Sequence, residues 1–454
     1  MARTTRIGSE VPTAALDATT NESGMSAAPP VNPDLVRAPE VPGARRVGRN
    51  VVEILVFRGL STPVALLLVV LHARFLEPAG RGTFVLAVLT VTIFSRILSQ
   101  LGVAVVNRMS EDAYDEPHEL ATLVHRALGL ALGLGLVGSA AIVGIGALTP
   151  AVGWTTALVA AAGLVPNVVW QTGSGVLLGL ARIRAWNYVQ LASPALTLAG
   201  TALLVVGLGG GVRAALAAWT AGHVLTAAGA LWLTRDAWHP LRLPALGDAA
   251  TQLLLRLALV MGAVQVFSLV TYRAELVVLE RLEGVAAVGI YSIAMQVSES
   301  MWLVGAALAT AITAPVVHHS ERDAVRLVRH SVVRTLLLTA GVAAVVALVA
   351  PFVLPVVLGE DFGDAVEPLW TLLPGVVVYA PLQVLAVYLS VRRGRPRLAL
   401  AAAAAAMVVT LAAAVPAIDA FGLPGAALAS TAGYAAGAAV AWVLFVRTAR
   451  VARA

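Results

Sequence analysis

Apolar runs of twenty or more residues recur from Val51 almost to the C-terminus, separated by short polar turns. Coiled as a helix, such a run spans the ~30 Å hydrocarbon layer of a bilayer. Lipid offers the backbone no water, so each run must satisfy its own N–H and C=O groups, and a helix does this within one segment. Alternating strand patterns of about ten residues are absent, which sets a β-barrel aside. The chain is therefore expected to be an all-α polytopic membrane protein. Composition agrees: 59% of the 454 residues are hydrophobic, 12% are charged, and the mean hydropathy is +0.86. Soluble domains carry about twice that charged fraction.

The punctuation predicts about twelve transmembrane helices, over 51–73, 83–106, 123–148, 152–179, 186–208, 213–233, 252–279, 286–316, 332–357, 366–391, 397–417 and 421–446. Arginine placement orients them. With the N-terminus inside, twenty arginines fall in cytoplasmic segments, in clusters such as Arg182/Arg184, Arg392/Arg393/Arg395/Arg397 and Arg447/Arg450/Arg453. Only Arg74, Arg81, Arg213 and Arg281 fall in outer loops. Both termini are thus expected in the cytoplasm. The basic balance reflects this bias and calls for no nucleic-acid partner. None of the 31 basic residues is lysine, and there is no cysteine, which excludes disulfides, thiolate chemistry and cysteine metal sites. Residues 1–50, rich in Ala, Pro, Thr and Ser, read as a disordered cytoplasmic tail. They lack the apolar stretch of roughly 7–15 residues that a signal peptide needs.

The sequence also resembles itself. Leu76-Glu77 followed by GTFVLA (82–87) matches Leu282-Glu283 followed by GIYSIA (289–294), and AALAAWTAG (214–222) matches AALASTAG (426–433) with one residue inserted. Two matches at a spacing near 210 predict two six-helix lobes of like orientation around a central cleft, the plan of an alternating-access transporter. The expected division is an N-lobe at 51–234, a cytoplasmic linker at 235–250, a C-lobe at 251–446 and a basic tail at 447–454.

Ionised side chains are costly at mid-bilayer and face the protein interior or a wet cavity. Arg58, Arg96, Arg256 and Arg273 fall within predicted spans. Thr92, Arg96 and Gln100 share one helical face; Ser292, Gln296 and Glu299 share another; Gln265, Ser268, Tyr272 and Glu275 share a third. The first, second, seventh and eighth helices are therefore the polar ones. Helices three, five, six, eleven and twelve fit a lipid-facing shell. Pro63, midway along the first helix, is a candidate hinge.

Several stretches are similar to polysaccharide flippases. ARFLEPAGRGTFVLAVLTVTIFSRILSQLG (73–102) resembles their opening turn, with Glu77 where glycine is usual. YRAELVVLERLEGVAAVGIYSIA (272–294) resembles the Tyr-Arg-x-Asp start of their second lobe, with Glu275 in the aspartate place. LGEDFGDAVEPLWTLLPG (358–375) and GLPGAALASTAGY (422–434) also fit, so the resemblance covers roughly 50–446. It points to the Wzx-like oligosaccharide flippase branch of the multidrug/oligosaccharidyl-lipid/polysaccharide (MOP) exporter superfamily. It implies that the polar helices flank the central cleft. It also implies flipping of an undecaprenyl-diphosphate-linked glycan across a bacterial cytoplasmic membrane, alongside membrane enzymes of the polysaccharide pathway.

Guanidinium groups bind phosphate in a bidentate fork, so Arg58, Arg96 and Arg256 are the candidates for the diphosphate, with Gln100 and Gln296 beside them. Glu299 and Glu275 are candidates for counter-ion or ion coupling. Other readings stand beside these. Arg256 can snorkel to the interface, Arg96 can pair with Glu299, and Arg273 and Glu275, toward the outer end, can form structural pairs. Only Glu299 is expected deep enough to be costly; Glu280, Arg281 and Glu283 belong to a solvated outer turn. An enzyme reading would place catalysis on the outer acidic segment holding Glu360, Asp361, Asp364 and Glu367. A same-fold exporter of a peptidoglycan precursor or of drugs is a further alternative, though two membrane arginines would repel a cationic drug. No Walker-type phosphate loop, cofactor motif or metal-ligand pattern is present, and no catalytic residue is assigned.

Overall fold

The computed structural model describes residues 44–109, 117–148, 152–238 and 247–451. Most of the expected tail, residues 239–246 of the expected linker, and 452–454 lie outside the described residues.

The fold is all helical. The N-terminal half holds α1 (44–76), α2 (78–109), α3 (Pro117–Leu148), α4 (154–179), α5 (183–207) and α6 (Val212–Leu233). The C-terminal half holds α7 (Ala249–Glu283), α8 (285–318), α9 (Glu321–Leu358), α10 (366–392), α11 (396–421) and α12 (423–451). Nine described helical stretches are long and apolar enough to cross a membrane. Two of them, Gly59–Met109 and Pro396–Ala449, are double spans with a non-helical residue inside, Glu77 and Gly422. The stretch 154–179 is interrupted between Ala161 and Leu164, which completes the twelve.

Some boundaries shift. The sequence starts the second helix at 83, whereas α2 begins at Pro78, directly after the non-helical Glu77. Proline suits the first helical position because its missing N–H would be unpaired there anyway. Residues 78–82 are therefore helix, and Arg81 lies inside α2 rather than in a solvated loop. Interruptions also fall at Met301 in α8 and at 380–381 in α10, the second at Pro381 itself. Hydroxyls inside the bundle mostly bond back to the carbonyl four residues earlier, as Thr92, Thr172, Thr197, Thr226 and Thr335 do. This is how polar side chains are tolerated where no water reaches. Caps appear at the cytoplasmic ends, where Asp248 accepts from the Thr251 N–H at 2.9 Å. The Thr251 hydroxyl, that backbone bond and the Arg126 guanidinium together hold the Asp248 carboxyl below its usual range.

The internal repeat recurs in the backbone. Every described residue at positive φ has a counterpart in the other half: Glu77 and Gly284, Gly153 and Gly359, Ala181 and Gly394, Gly209 and Gly422, at spacings of 207, 206, 213 and 213 residues. The tightest packing repeats too. A Cβ on Gly222 would lie 2.6 Å from the Thr197 hydroxyl, and one on Gly433 would lie 1.9 Å from the Thr410 hydroxyl. These glycines end the two matching Ala-rich segments. Each lets its helix approach a threonine of the helix before it, the small-residue packing that holds membrane helices together.

The two halves cross where α2 meets α8. A Cβ on Gly82 would lie 1.9 Å from the Val285 carbonyl oxygen, and one on Gly289 would lie 1.9 Å from the Pro78 carbonyl oxygen. The contact is reciprocal at a spacing of 207, so the lobes are related about an axis through this point. Around it, Val69, Ala73, Leu86 and Leu89 join the core of the C-terminal half. In return, Leu254 and Ala258 of α7 join the core of the N-terminal half.

Candidate functional site

The crossing closes the outer side. Arg74, at the end of α1, donates to the Val357 carbonyl at 2.7 Å and to that of Val356, so it caps the C-terminal end of α9 in the other lobe. Helix C-termini present unpaired carbonyls, and a guanidinium is a fitting donor to them. Arg81 is 3% exposed. It donates to the Ser292 hydroxyl at 3.0 Å, the Val69 carbonyl at 3.4 Å and the Gln296 side-chain oxygen at 3.4 Å. All three acceptors are neutral. His72 packs against Phe84 beside it, with ring centroids 4.3 Å apart and the planes tilted by 58°. Sequence reading missed both arginines as site residues, because it placed them in loops.

The cytoplasmic side is parted. No described residue of α1 between Glu53 and Leu68 is buried, while burial begins at Val69. The cytoplasmic half of α8, Trp302–His318, makes no substantial contact with α1 or α2. The lobes thus enclose a cleft that is shut outside and open toward the cytoplasm.

The predicted site residues distribute as follows. Arg96 is exposed, has no ion pair among the described residues, and lies within electrostatic reach of Arg273. Arg256 is exposed near the cytoplasmic start of α7. The side chains of Arg58, Ser268 and Tyr272 lie outside the described residues. Gln100 is 8% exposed and bonds weakly to the Arg96 carbonyl and to Ser99, so it packs inward rather than lining the cleft with Arg96. Gln296 is exposed and tied to Arg81. Pro63 is exposed in a helix whose non-helical residue is Glu77 instead.

Two expectations about charge pairing change. Glu299 bonds not to Arg96 but to Arg273, in a bidentate fork of 2.5 and 2.8 Å between α7 and α8. The reason is geometric: Arg273 faces α8 across a short turn, while Arg96 belongs to the other lobe. Glu275 is not at a wet outer mouth. It is 0% exposed, and neither carboxylate oxygen makes a well-formed hydrogen bond among the described residues, although the Ser430 hydroxyl is in reach. It sits among the buried Tyr291, Ser430 and Tyr434, with the Arg273 charge in reach. The Tyr291 and Ser430 hydroxyls are 3.4 Å apart. Trp302, Tyr379 and Tyr434 form an aromatic cluster nearby, with ring centroids 5.0–5.7 Å apart.

The outer acidic segment is a 3-10 turn, Glu360–Ala365, pinned by buried Phe362 and Ala365. Its carboxylates point outward, with no ion pair among the described residues. No group of three or more His, Asp or Glu among the described residues could hold a metal ion.

Residues 47–318 match the family described as "Polysaccharide biosynthesis protein". Among solved structures, the chain is similar to an inward-facing multidrug resistance MATE family transporter of the MOP superfamily. That match has 18% identity and a TM-score of 0.70, covering 86% of this chain and 95% of that one. It is similar to the lipid II flippase MurJ in an inward closed conformation, with 12% identity and a TM-score of 0.70, covering 86% and 87%. A MOP superfamily transporter from Pyrococcus furiosus matches with 16% identity and a TM-score of 0.62, covering 89% and 95%. A comparison with curated protein sequences gives no match.

Proposed function

The chain belongs to the polysaccharide biosynthesis protein family, and on that premise we propose that it is a multi-pass membrane transporter of the MOP superfamily, whose members share its fold, and that it flips an undecaprenyl-diphosphate-linked oligosaccharide. The lipid-linked glycan enters from the cytoplasmic leaflet of a bacterial plasma membrane and leaves to the outer leaflet by alternating access. Its neighbours in the pathway are the membrane enzymes that build and extend the glycan.

One observation carries the reading. The cytoplasmic opening presents Arg96, which has no carboxylate partner among the described residues, while the membrane-embedded carboxylates of α7 and α8 are occupied or buried, Glu299 in the fork with Arg273 and Glu275 at 0% exposure. A positively lined, water-accessible cleft attracts a diphosphate and repels cationic drugs. Arg256 at the cytoplasmic rim supports capture; Arg58, by its place on α1, is the third candidate. Glu299 is assigned as counter-ion to Arg273.

Glu275 is assigned to coupling. A carboxylate buried without donors costs several kcal/mol, and taking up a proton or a small cation removes that cost. Its loading state would then bias how the C-lobe packs. Pro63 remains the candidate hinge for the cytoplasmic half of α1, which contacts α5 but has no buried residue among those described between Glu53 and Leu68.

Replacing Arg96 by Ala tests the reading. Membrane abundance is expected to be unchanged, and export of the lipid-linked glycan to fall at least tenfold, the loss of one charge-assisted contact of about 1.5–3 kcal/mol. Unchanged export would remove the diphosphate role from Arg96. A peptidoglycan precursor carries the same diphosphate, so the arginines alone do not separate the two cargoes; the sugar does.

A further inference from the structure

A pocket of about 220 Å³ opens between the cytoplasmic halves of α1 and α5, lined by Phe57, Ser61, Trp186, Asn187, Gln190 and Leu191. It is smaller than the roughly 300–1,000 Å³ of drug-sized sites, so it suits a single ring. No charged side chain lines it. Three of its six side chains are polar, on helices that sequence reading treats as a membrane span and a lipid-facing shell.

Asn187 is the telling residue. It is 2% exposed, and its amide nitrogen has no acceptor among the described residues. An unsatisfied buried donor is destabilising, and such groups in native structures call for an explanation. Gln190 lies one turn on, so its amide shares the face of Asn187. Trp186 supplies a half-buried indole next to them. The pocket is rigidly framed. Phe57 meets Tyr188 edge-on at 5.3 Å, and Glu53 pairs with Arg184 at 3.0 Å one turn nearer the cytoplasm, tying α1 to α5.

We propose that this pocket is a neutral-sugar subsite, where one hydroxyl-rich ring of the glycan docks before translocation. Amide groups donate and accept at once, which matches hydroxyls, while an indole covers the C–H face of a pyranose. A phosphate would demand cationic donors, and an acyl chain would leave the amides unpaired. Asn187 and Gln190 make the hydrogen bonds, and Trp186 is the stacking face. The assignment rests on the flippase reading for its cargo but not for its chemistry.

The test uses the full chain in lipid nanodiscs, so that no sugar-headed detergent competes. Free glucose, galactose, mannose, rhamnose and N-acetylglucosamine are offered in turn, and binding is read by saturation-transfer NMR. At least one sugar is expected to bind in the millimolar range. Binding should weaken tenfold or more in Asn187→Leu and in the exposed-site variant Gln190→Ala, and stay unchanged in Arg96→Ala. Binding that both α5 variants leave intact, or no binding by the wild type at 100 mM, overturns the subsite. Adding a monohexosyl diacylglycerol to the nanodiscs separates sources: competition by it, with normal glycan export in Asn187→Leu, would make the occupant a bilayer glycolipid and overturn the cargo assignment. Normal export with no sugar binding leaves the flippase standing without the subsite. Sugar binding without any export by the wild type leaves the subsite and removes the flippase.

Discussion

Single side chains set the energetics of this protein, and the least comfortable of them are the most informative. Glu275 is buried with no well-formed hydrogen bond among the described residues, whereas Glu299, one helix away, is held in a fork by Arg273. Glu275→Gln keeps the shape and fixes the neutral state. The variant is expected to fold, to lose coupling, and to show glycan export that no longer responds to an imposed proton or sodium gradient; export that responds as the wild type does would remove Glu275 from the coupling role. Glu77 is uncomfortable for another reason. Its φ of 59° and ψ of 173° belong to glycine, and its counterpart Gly284 holds nearly the same angles, 87° and 176°. That strain costs about 1–3 kcal/mol, against about 1 kcal/mol of extra chain entropy for glycine. Glu77→Gly should therefore stabilise the protein by about 1 kcal/mol, read as a higher melting temperature. At this scale the sequence is partly legible. The chemically important residue types on α2, α7 and α8 stand out against an apolar background. Their partners do not, because Arg273–Glu299 and Arg81–Ser292 are contacts between helices, and spacing along one helix reports only its own face.

At the scale of elements, helices and orientation are legible because lipid leaves an apolar run no other option. The breaks are less so. Pro78 marks the start of α2, yet the glycine-rich stretch around it reads as loop, and this error hid Arg81. The repeat reads more clearly in turns than in helices, since Ala-rich helices resemble one another while a positive φ is set by local sterics. The Gly82–Gly289 crossing is where elements become mechanism. A methyl group on either glycine collides with the partner's backbone, so Gly82→Ala must separate the lobes on the outer side. A penalty of even 2 kcal/mol shifts a two-state equilibrium about 30-fold. The chain has no cysteine, so one introduced at Val85 can report accessibility without background. Labelling from outside is expected to be slow in the parent and fast with Gly82→Ala. Arg81→Leu should act in the same direction, because it removes the bonds to Ser292 and Gln296. Equal labelling in all three would mean that the crossing is not the outer gate.

At the scale of the whole molecule, two related lobes meet at one outer crossing and part toward the cytoplasm. Each borrows part of a helix from the other: the outer end of α1 packs in the C-lobe core, and the start of α7 packs in the N-lobe core. Rocking about the crossing would break the Arg74 cap on α9 and the Arg81 contacts together, and would bring the cytoplasmic halves of α1 and α8 into contact. The cationic cleft would then face outward with its cargo. The most direct test of this account is translocation by the purified protein alone. Reconstitute it in liposomes carrying a fluorescent undecaprenyl-diphosphate-linked sugar, and measure how much label an impermeant quencher reaches with time. The account predicts fast equilibration between leaflets with the wild type and little above empty vesicles with Arg96→Ala or Gly82→Ala. Equilibration no faster than in empty vesicles for a folded wild-type protein, under proton and sodium gradients of either direction, would contradict it.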